Sequence, residues 1–481
     1  MLLKELLKDI TILSRNADDM LEISGIAYDS RKVQPGNLFV AVSGFAADGH
    51  RFIPMAIEKG AAAVLCQQVP DTDIPYIQIE NSRAGLALVS ANWFSRPAEK
   101  MTCIGITGTN GKTSSTYILK HILETALGAK VGLVGTIQNM IGDRVIETER
   151  TTPESYDLQE LFSEMAAAGC THMIMEVSSH ALALDRVAGI HFECGVFTNL
   201  TQDHLDFHGT MDAYRDAKAL LFRRCTKGIL NADDPASVKI AQGATCSITT
   251  YGTHSGCDLQ AANTVLNSDS VEFDALYHGE SQHIRLPIPG GFTIYNGLGV
   301  LGAALQLGVS PEAAANALKT ATGVKGRVEV VPTPGKDYTI LIDYAHTPDG
   351  LENVLSSVRG YCKGRLIAVF GCGGDRDNTK RPIMGEIGAR LADIAVITSD
   401  NPRTEDPQSI IDMIIAGIPD ITNCLVEVNR PKAIHMAMDM ARKDDIIVLA
   451  GKGHETYQIL GTVKHHLDER EVVADYLARE A

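Results

Sequence analysis

The sequence predicts an α/β protein with mostly parallel sheets, divided into three domains. Short apolar, β-branched runs alternate with longer helical patterns through most of the chain, which is typical of this class. The length of 481 residues corresponds to roughly three domains of about 150 residues each. Breaks at Arg96-Pro97 and near Gly326-Arg327 predict domains at 1–98, 99–327 and 328–481.

Predicted strands and helices alternate in all three segments. The predicted strands are 36–42, 61–65 and 76–79 in the first segment, 101–106, 130–135, 172–176, 194–199 and 228–231 in the second, and 339–342, 366–370, 394–398 and 446–449 in the third. Helices are predicted near 83–95, 113–126 and 295–307, with an amphipathic helix at the N-terminus and a strand pair over 247–288. Strands of the third segment end in polar or glycine-rich loops, where doubly wound sheets bind their ligands.

The composition excludes several classes of partner. Lys and Arg number 43 against 59 Asp and Glu, a net charge of −16, which disfavours binding to nucleic acids and to anionic membranes. The ten cysteines form no C-x-x-C pair, which favours free thiols in a reducing compartment. Because the sequence contains neither a signal peptide nor an apolar run of about 18 residues, we expect a cytoplasmic protein without membrane insertion.

The clearest motif is the glycine-rich stretch 105–115, which reads GITGTNGKTSS between a predicted strand and a predicted helix. This is the setting of a P-loop, whose backbone N–H groups and helix N-terminus bind phosphates. Lys112 would reach the β- and γ-phosphates, and the Thr113 hydroxyl would hold Mg²⁺. The usual pattern has glycine where this chain has Ile106, so a glycine-rich turn with a surface lysine is the alternative.

Two other strand ends carry side chains that suit a metal ion. Glu176 follows an apolar run, and residues 198–208 are rich in Asp and His. Carboxylate oxygens are ligands that Mg²⁺ prefers, and a neutral imidazole can join them. Either cluster alone would be interpreted as a polar turn, but after a P-loop both indicate a nucleotide–metal site.

The motifs together resemble the Mur ligases, the ATP-dependent amide ligases of peptidoglycan synthesis. The motifs that carry the resemblance lie at 107–113, 176–180, 203–206, 343–348, 374–377, 400–403 and 451–455. It extends from Asp29-Ser30-Arg31 to Glu455, nearly the whole chain. It implies a small α/β N-terminal domain that binds a UDP-sugar, a central P-loop ATPase-type parallel-sheet domain, and a Rossmann-like C-terminal domain that presents the incoming amino acid.

The resemblance also implies residue roles. The implied ATP contacts are Gly108, Thr109, Asn110, Gly111, Lys112, Thr113, Ser114, Ser115, Asn296, Arg327 and Asp343. The implied contacts of the UDP-sugar peptide are Ser30, Thr151, Thr152, Ser178 and Arg186. The implied catalytic residues are Lys112, Glu176, His204 and Lys218. Two Mg²⁺ ions would be held by Thr113, Glu176, His204 and Lys218, the last as a carbamate.

Several of these roles have an ordinary structural alternative. Ser30 could be a helix-capping or turn serine, and Lys218 a solvated helix lysine. Arg327 and Asp343 could form a salt bridge at a hinge. Thr293 stands where members of the family often carry a second asparagine, three residues before Asn296.

The tetrapeptide Asp400-Asn401-Pro402-Arg403 resembles the one that accompanies meso-diaminopimelate in this family. The residues implied to bind diaminopimelate are Arg376, Asp400, Asn401, Pro402, Arg403, Gly451 and Glu455. Arg403 could hold the carboxylate that lysine lacks in a two-bond fork, and a site built for it would reject lysine. Arg376 could hold another carboxylate, and Glu455 could pair with an ammonium group. The alternative is a surface ion pair of Arg403 with Glu405 or Asp406.

The implied reaction joins meso-diaminopimelate to the D-glutamate of UDP-N-acetylmuramoyl-L-alanyl-D-glutamate through an acyl phosphate, with release of ADP and phosphate. The implied partners are these small molecules and ATP, and we expect a monomer. One group of alternatives is the L-lysine-adding ligase, another Mur ligase or a folylpolyglutamate-type ligase. The others are a P-loop NTPase switch or kinase and a non-catalytic relative, which would be expected to lack Lys112, Glu176 or Lys218.

Overall fold

The computed structural model describes residues 1–44, 48–148 and 150–480. The chain divides into two compact units, one formed by Met1–Gly252 with Gly299–Ser310 and the other by Thr253–Leu298 with the chain from Pro311 onward. The first predicted domain and most of the second therefore share one unit. The boundaries at 98/99 and 327/328 stay predictions.

The N-terminal part of the first unit is a small sheet in which all neighbouring strands are parallel except the first pair. The strands lie in the order Ser14–Arg15, Tyr76–Gln78, Ala63–Cys66, Asn37–Val40 and Gly25–Ala27. The helix Ser82–Trp93 begins after Asn81, whose side chain accepts hydrogen bonds from two main-chain N–H groups. Leu86 and Val89 of this helix pack with Leu38 and Leu65 of the strands, which buries one face of the sheet.

A larger sheet forms the rest of the first unit. Its strands lie in the order Ser247–Gly252, Cys225–Asn231, Phe192–Phe197, Thr102–Thr107, His172–Glu176, Val131–Val134, Asn139–Ile141 and Arg144–Ile146. The pairs up to Val131–Val134 are parallel and the last two are antiparallel. Thr102–Thr107 thus lies between Phe192–Phe197 and His172–Glu176, so the carboxyl ends of these three strands meet at one edge.

The helices of the first unit connect these strands. They are Leu3–Leu6, Ile53–Glu58, Ser82–Trp93, Lys112–Leu127, Ser155–Ala167, Ser179–Ala183, Leu205–His208, Met211–Ala219 and Ala236–Gly243, with 3₁₀ turns at Ser30–Lys32, Gly49–Phe52, Pro97–Lys100 and Leu220–Arg223. The predicted N-terminal helix is confirmed but is a single turn, which ends where Leu7 leaves helical geometry.

The second unit begins with antiparallel strands. Leu259–Leu266, Val271–Tyr277 and Glu280–Leu286 pair in sequence order. The predicted strand pair over 247–288 is therefore wrong: the stretch forms Ser247–Gly252 in the first unit and these three strands in the second. Alternation of polar and apolar residues marks a strand but does not count strands, and the turn between the last two needs only His278 and Gly279, both at positive φ.

A second parallel sheet forms the rest of this unit. Its strands lie in the order Glu329–Val331, Thr339–Asp343, Ile446–Ala450, Leu366–Phe370, Ile394–Ile397 and Cys424–Val426, all parallel except the first pair. The helices of the unit are Gly291–Gln306, which continues into the first unit, and Pro311–Leu318, Pro348–Arg359, Lys380–Leu391, Pro407–Ile415, Arg430–Met440 and Glu469–Glu480. A two-stranded hairpin, Tyr457–Leu460 with Val463–His466, precedes the last helix. Separate apolar clusters cover the two faces of the parallel sheet, as expected of a doubly wound fold.

The ten cysteines are free thiols in the structure. Burial raises the pKa of Cys103 and of Cys372 to about 12, so these thiols are protonated and unreactive near neutral pH. Within the ranges that the structure describes, the helices are too short or too polar to span a membrane.

Candidate active site

The predicted phosphate loop connects strand Thr102–Thr107 to helix Lys112–Leu127. Two of its glycines have positive φ angles, 149° at Gly108 and 83° at Gly111. A Cβ atom at Gly108 would lie 1.9 Å from Thr198 Oγ1, so a larger residue would displace the strand end beside the loop. The loop is therefore held in a conformation that requires glycine, with its backbone at the start of a helix.

Two lysines share one main-chain oxygen of this loop. Lys112 Nζ donates to Gly108 O at 2.9 Å and to Thr109 O at 2.7 Å, and Lys218 Nζ donates to Gly108 O at 2.8 Å. Lys218 is almost fully buried. Burial, together with the charge of Lys112, lowers the pKa of Lys218 to about 6. Near neutral pH the positive charge of this pair therefore lies mainly on Lys112, beside a helix N-terminus that favours an anion.

The carboxylate of Glu176 lies beside the same loop. It is fully buried at the end of strand His172–Glu176. Thr113 Oγ1 lies 3.0 Å from each of its oxygens, while Thr136 donates from its main-chain N–H and its hydroxyl at 2.9 Å each. The structure therefore brings together a carboxylate and a hydroxyl, both hard oxygen donors, at the first turn of the phosphate-loop helix.

Two other residues of the motif contact a neighbouring helix and a neighbouring strand end. Thr109 Oγ1 lies 3.2 Å from the hydroxyl of Tyr214, and the Asn110 N–H donates to Asn199 Oδ1 at 2.9 Å. The last two predicted ATP contacts of the motif, Ser114 and Ser115, follow in the first turn of the helix.

His204 lies in an aromatic cluster next to the loop. Its ring centroid is 4.8 Å from that of His180 and 6.1 Å from that of Tyr214. The ammonium group of Lys218 lies over the same Tyr214 ring, 4.2 Å from its centroid. His204 and Lys218 thus contact one tyrosine, and sequence reasoning missed this residue because a single tyrosine in a helix carries no recognisable pattern. Among the described residues, no group of three or more His, Cys, Asp or Glu side chains has the geometry of a complete metal site.

Ser30 lies on the wall of a cavity of about 1160 Å³ in the first unit. The Tyr28 hydroxyl, just after strand Gly25–Ala27, donates to Asp157 Oδ2 of helix Ser155–Ala167 at 2.7 Å, and both residues line the cavity. Arg83 and Glu154 also line it, with Arg83 Nη1 3.9 Å from Glu154 Oε2. Neither residue was predicted to line a site, because neither belongs to a local motif.

The other predicted contacts of the UDP-sugar peptide form one connected group near the cavity. Thr152 Oγ1 donates to Ser178 Oγ at 3.3 Å, and Arg186 Nη1 donates to Thr152 O at 3.1 Å. Arg186 Nε lies 2.6 Å from Glu154 Oε1, a residue that lines the cavity. Thr151, the neighbour of Thr152, is half-buried. The structure brings Thr152, Ser178 and Arg186 together, and their role in binding the UDP-sugar peptide stays a prediction.

Two predicted ATP contacts of the second unit lie close together in the chain and in space. Asp343 ends strand Thr339–Asp343 and accepts hydrogen bonds from the N–H groups of Val328 at 2.8 Å and Ala345 at 2.9 Å. Burial raises the pKa of this carboxyl group. The Arg327 guanidinium lies over the ring of Tyr344, 5.6 Å from its centroid. Main-chain amides thus hold Asp343.

The predicted adenine contact Asn296 is buried on helix Gly291–Gln306. Thr293, one turn earlier, is also buried and donates from its hydroxyl to Pro289 O at 2.9 Å. Thr293, which stands where members of the family often carry a second asparagine, thus bonds to the main chain just before its own helix.

Two arginines flank the glycine-rich loop after strand Leu366–Phe370. Arg403 Nη1 donates to Gly374 O at 2.8 Å, and Arg376 Nη1 donates to Asp375 O at 3.1 Å. A Cβ atom at Gly373 would lie 3.0 Å from Arg403 Nη1 and 4.0 Å from Arg376 Cγ. The structure therefore brings together the two arginines that the sequence assigned to carboxylates.

The alternative of a surface ion pair for Arg403 is not what the structure shows. Glu405 pairs with Arg381, at 2.8 Å from Nη2 to Oε1. Asp406 caps helix Pro407–Ile415 by accepting a main-chain N–H. The two carboxylates offered as partners of Arg403 are thus engaged elsewhere.

The loops that follow two strands of this sheet pack backbone against backbone. The Gly374 N–H donates to Asn401 O at 2.9 Å. A Cβ atom at Gly374 would lie 1.9 Å from Pro402 O, and one at Gly371 would lie 2.1 Å from Thr398 O. The glycines of the 371–374 stretch therefore allow an approach that places Arg376 beside the predicted diaminopimelate tetrapeptide.

A charged network joins the remaining predicted residues. Asn401 Nδ2 donates to Glu455 Oε2 at 2.9 Å. Lys452, which sequence reasoning did not assign, donates to Asn401 Oδ1 at 2.9 Å and to Glu455 Oε2 at 3.1 Å. Its ammonium nitrogen also lies 3.3 Å from Asp400 Oδ1. A Cβ atom at Gly451 would lie 2.8 Å from Asp400 Oδ2, so the two loops are in contact there as well.

Comparison with known proteins agrees with this architecture. The chain matches the profiles of the Mur ligase family catalytic domain over 22–93, the Mur ligase middle domain over 106–304 and the Mur ligase glutamate ligase domain over 326–453. It is 50% identical over 480 residues, 99% of each chain, to UDP-N-acetylmuramoyl-L-alanyl-D-glutamate--2,6-diaminopimelate ligase 1 of Clostridium acetobutylicum. It is 44% identical, over 100% of each chain, to the ligase of the same description in Clostridioides difficile.

A solved structure of a UDP-N-acetylmuramoyl-L-alanyl-D-glutamate--2,6-diaminopimelate ligase is similar at a TM-score of 0.78 and 30% identity, covering 100% of this chain and 99% of that one. Two features define the class of protein: the phosphate loop at the edge of a parallel sheet, and the charged loops of the second sheet. The chain belongs to the Mur ligase family.

Proposed function

We propose that this chain is the ATP-dependent ligase that adds meso-2,6-diaminopimelate to the D-glutamate of UDP-N-acetylmuramoyl-L-alanyl-D-glutamate. The observation that carries the substrate choice is the pair Arg376 and Arg403, which flank one loop beside a network rich in carboxylates. Relatives with this activity in their names match the chain over almost its full length.

Diaminopimelate differs from lysine by one carboxylate, so a site for it needs one more cation. Arg403 supplies a planar guanidinium group that can bond a carboxylate through two N–H groups. Asp400 and Glu455 supply negative charge for an ammonium group. Lysine would leave the guanidinium without its anion, and the cost of that desolvated cation is the basis of the selectivity.

The phosphate loop serves the first chemical step. An oxygen of the substrate γ-carboxylate attacks the γ-phosphorus of ATP, and ADP leaves. Lys112 and the loop N–H groups stabilise charge on the transferred phosphoryl oxygens. The buried Glu176 carboxylate and the Thr113 hydroxyl, both hard oxygen donors, fit Mg²⁺, which when bound supplies further positive charge for these oxygens. Gly108, Thr109, Asn110, Gly111, Ser114, Ser115, Asn296, Arg327 and Asp343 are proposed as the other ATP contacts.

The second step forms the amide. The diaminopimelate amine attacks the acyl phosphate carbon, phosphate leaves with the bonding electrons of the C–O bond, and the amine loses a proton. Arg376, Asp400, Asn401, Arg403, Gly451 and Glu455 are proposed to orient the amino acid, with Pro402 shaping the loop. Because both reactants are substrates, no side-chain nucleophile is required.

We propose that Lys218 is carbamylated and that the resulting carboxylate-like group, with His204, holds a second Mg²⁺. The shared acceptor Gly108 O and the lowered pKa of Lys218 support this, because only an unprotonated amine can be carbamylated. The common contact of His204 and Lys218 with Tyr214 places the two side chains in one cluster.

The cavity of the first unit is proposed to take the UDP-sugar peptide. Ser30 lies on its wall, and Thr151, Thr152, Ser178 and Arg186 lie beside it. We further propose a cytoplasmic monomer with domains at 1–98, 99–327 and 328–481.

The test is a phosphate-release assay of the full chain with ATP, Mg²⁺ and UDP-N-acetylmuramoyl-L-alanyl-D-glutamate. meso-Diaminopimelate and L-lysine are supplied in parallel, and the product is identified by mass spectrometry. We expect release that depends on diaminopimelate and a product heavier by one diaminopimelate residue. Faster release with lysine would assign the chain to lysine addition, and release without any amino acid would indicate an NTPase.

A further inference from the structure

Lys452 is a fully buried charged side chain with no role in the steps above. It follows strand Ile446–Ala450 and lies between Gly451 and Gly453, with φ angles of 113° and 55°. A Cβ atom at Gly453 would lie 2.6 Å from Tyr344 Cβ, so the loop presses against its neighbour at this point. The two glycines allow the tight turn that directs the lysine inward, where its exposure is 0%.

The ammonium group of Lys452 joins residues from two loops. It donates to Asn401 Oδ1 at 2.9 Å and to Glu455 Oε2 at 3.1 Å, and lies 3.3 Å from Asp400 Oδ1. All three partners belong to the proposed diaminopimelate site. The lysine itself is too deeply buried to touch a substrate, so any effect on binding must pass through these partners.

The network leaves negative charge for a ligand. Lys452 contributes one positive charge against the two carboxylates of Asp400 and Glu455, which gives an excess of one negative charge. Asn401 and Lys452 both bond to Oε2 of Glu455. No hydrogen bond to the other oxygen, Oε1, is seen within the part of the chain that the structure describes, so Oε1 can meet a cationic group of a ligand.

We propose that Lys452 is a positioning residue for the amino-acid substrate: it fixes Asn401 and Glu455 so that one carboxylate oxygen meets the substrate ammonium group. This inference rests on the proposed function. Without the lysine, Asp400 and Glu455 repel each other and Asn401 loses a donor, so the loops separate and the ammonium site is lost. Binding of ATP, at the phosphate loop, does not depend on this contact.

The test compares Lys452→Met with Lys452→Arg in the full chain. Steady-state phosphate release is measured while diaminopimelate, ATP and the UDP-sugar peptide are varied in turn. Since a charge-assisted hydrogen bond is worth about 1.5–3 kcal/mol, we expect the KM for diaminopimelate to rise about 10- to 100-fold in Lys452→Met. The KM for ATP stays within about twofold, because the change leaves the phosphate loop intact. Lys452→Arg, which keeps the charge, recovers part of the loss.

The matched control is Lys120→Met, which removes another buried lysine, one that pairs with Glu124 at 2.6 Å on helix Lys112–Leu127. It should leave the KM for diaminopimelate unchanged. If Lys452→Met does not fold, as judged by circular dichroism and thermal melting, Lys452→Gln is measured with the same expectation.

The outcomes separate this inference from the proposed function. If the wild-type chain releases no phosphate in response to diaminopimelate, the proposed function is wrong. The role inferred for Lys452, which rests on that function, is then wrong as well. An active wild type with an unchanged KM for diaminopimelate in the variant would overturn the role of Lys452 alone. Equal increases in all three KM values, without rescue by arginine, would show that Lys452 only supports the fold.

Discussion

The phosphate loop of the first unit and the amino-acid loops of the second hold their charges in different ways. In the phosphate loop, the Nζ atoms of Lys112 and Lys218 donate to a main-chain oxygen, that of Gly108. In the amino-acid loops, the ammonium group of Lys452 bonds to the side chains of Asn401 and Glu455. The lysines of the first site are thus held by the main chain, and the lysine of the second by side chains.

This difference assigns a distinct kind of specificity to each site. A backbone-built loop presents N–H groups to any phosphate, so its charges act on the chemistry of transfer. A side-chain network positions individual charges, so each one discriminates between ligands that differ by a single group. Charge removal should therefore lower kcat at the phosphate loop and change substrate preference at the amino-acid loops.

The largest expected effect comes from Lys112→Met. Loss of a preorganised cation that faces the transferred phosphoryl group should lower kcat about 10²- to 10³-fold. The KM for diaminopimelate should stay near the wild-type value, because the amino-acid loops retain their charges. Phosphate release at saturating substrates measures the first quantity and a diaminopimelate titration the second.

Lys120→Met serves as the control, because this lysine lies on the same helix and pairs with Glu124. It should retain most of the wild-type kcat. A fall of less than tenfold in Lys112→Met, or an equal fall in the control, would contradict the assignment of Lys112 to the reacting phosphate.

The second effect is a change in preference caused by Arg403→Ala. Removal of the guanidinium group should lower the ratio of kcat/KM for diaminopimelate over that for lysine about 10- to 100-fold, since each charge-assisted hydrogen bond is worth about 1.5–3 kcal/mol. The KM for ATP should not change. Parallel titrations of the two amino acids give the ratio directly.

The control for Arg403 is Arg390→Ala on helix Lys380–Leu391. Arg390 forms exposed ion pairs with Glu386 and Glu352, and such surface pairs contribute little. Its ratio should match that of the wild type. If Arg403→Ala weakened the use of both amino acids and of ATP equally, Arg403 would be a structural residue of its loop.

The two sites also differ in how far the sequence predicted them. The phosphate loop was predictable because residues 105–115 are consecutive and the strand–loop–helix setting is local. Lys452 was missed because its partner Asn401 is 51 residues away, and only the folded sheet brings the two loops together. The available signal was a lysine between two glycines. This pattern indicates a turn but does not show which residues the lysine contacts.

The fold shows the same division between local and distant information. Strands 172–176 and 366–370 were predicted at their observed bounds, because each is an apolar run that ends abruptly in a polar loop. The number of strands within 247–288 was not, because tight turns interrupt an otherwise continuous alternation. The order of strands within each sheet was also beyond the sequence, since it depends on which buried faces pack together.

The smallest expected effect concerns stability in acid near the phosphate loop. Burial, and then the charges of His180, Lys218 and His204, lower the pKa of His208 to about 4, while Asp206 acts in the opposite direction. The unfolded chain binds a proton at this residue below about pH 6.5, whereas the folded chain does so only below about pH 4. The folded state therefore loses stability as the pH falls from about 6.5 to about 4 and is not further affected by this group below that range.

The measurement is the free energy of unfolding in urea, taken at intervals between pH 7 and pH 4 for the wild type and for His208→Gln. The variant should show a shallower loss, because it no longer carries the proton that only the unfolded chain binds. His466→Gln in the second unit is the opposite control: Glu471 raises the pKa of His466, so this pair adds stability at low pH that disappears as the pH rises. Its removal should make the acid loss steeper, and only slightly so because the pair is exposed. Identical slopes for His208→Gln and the wild type would show that His208 takes up its proton alike in the folded and unfolded chains, which would contradict the lowered pKa of His208.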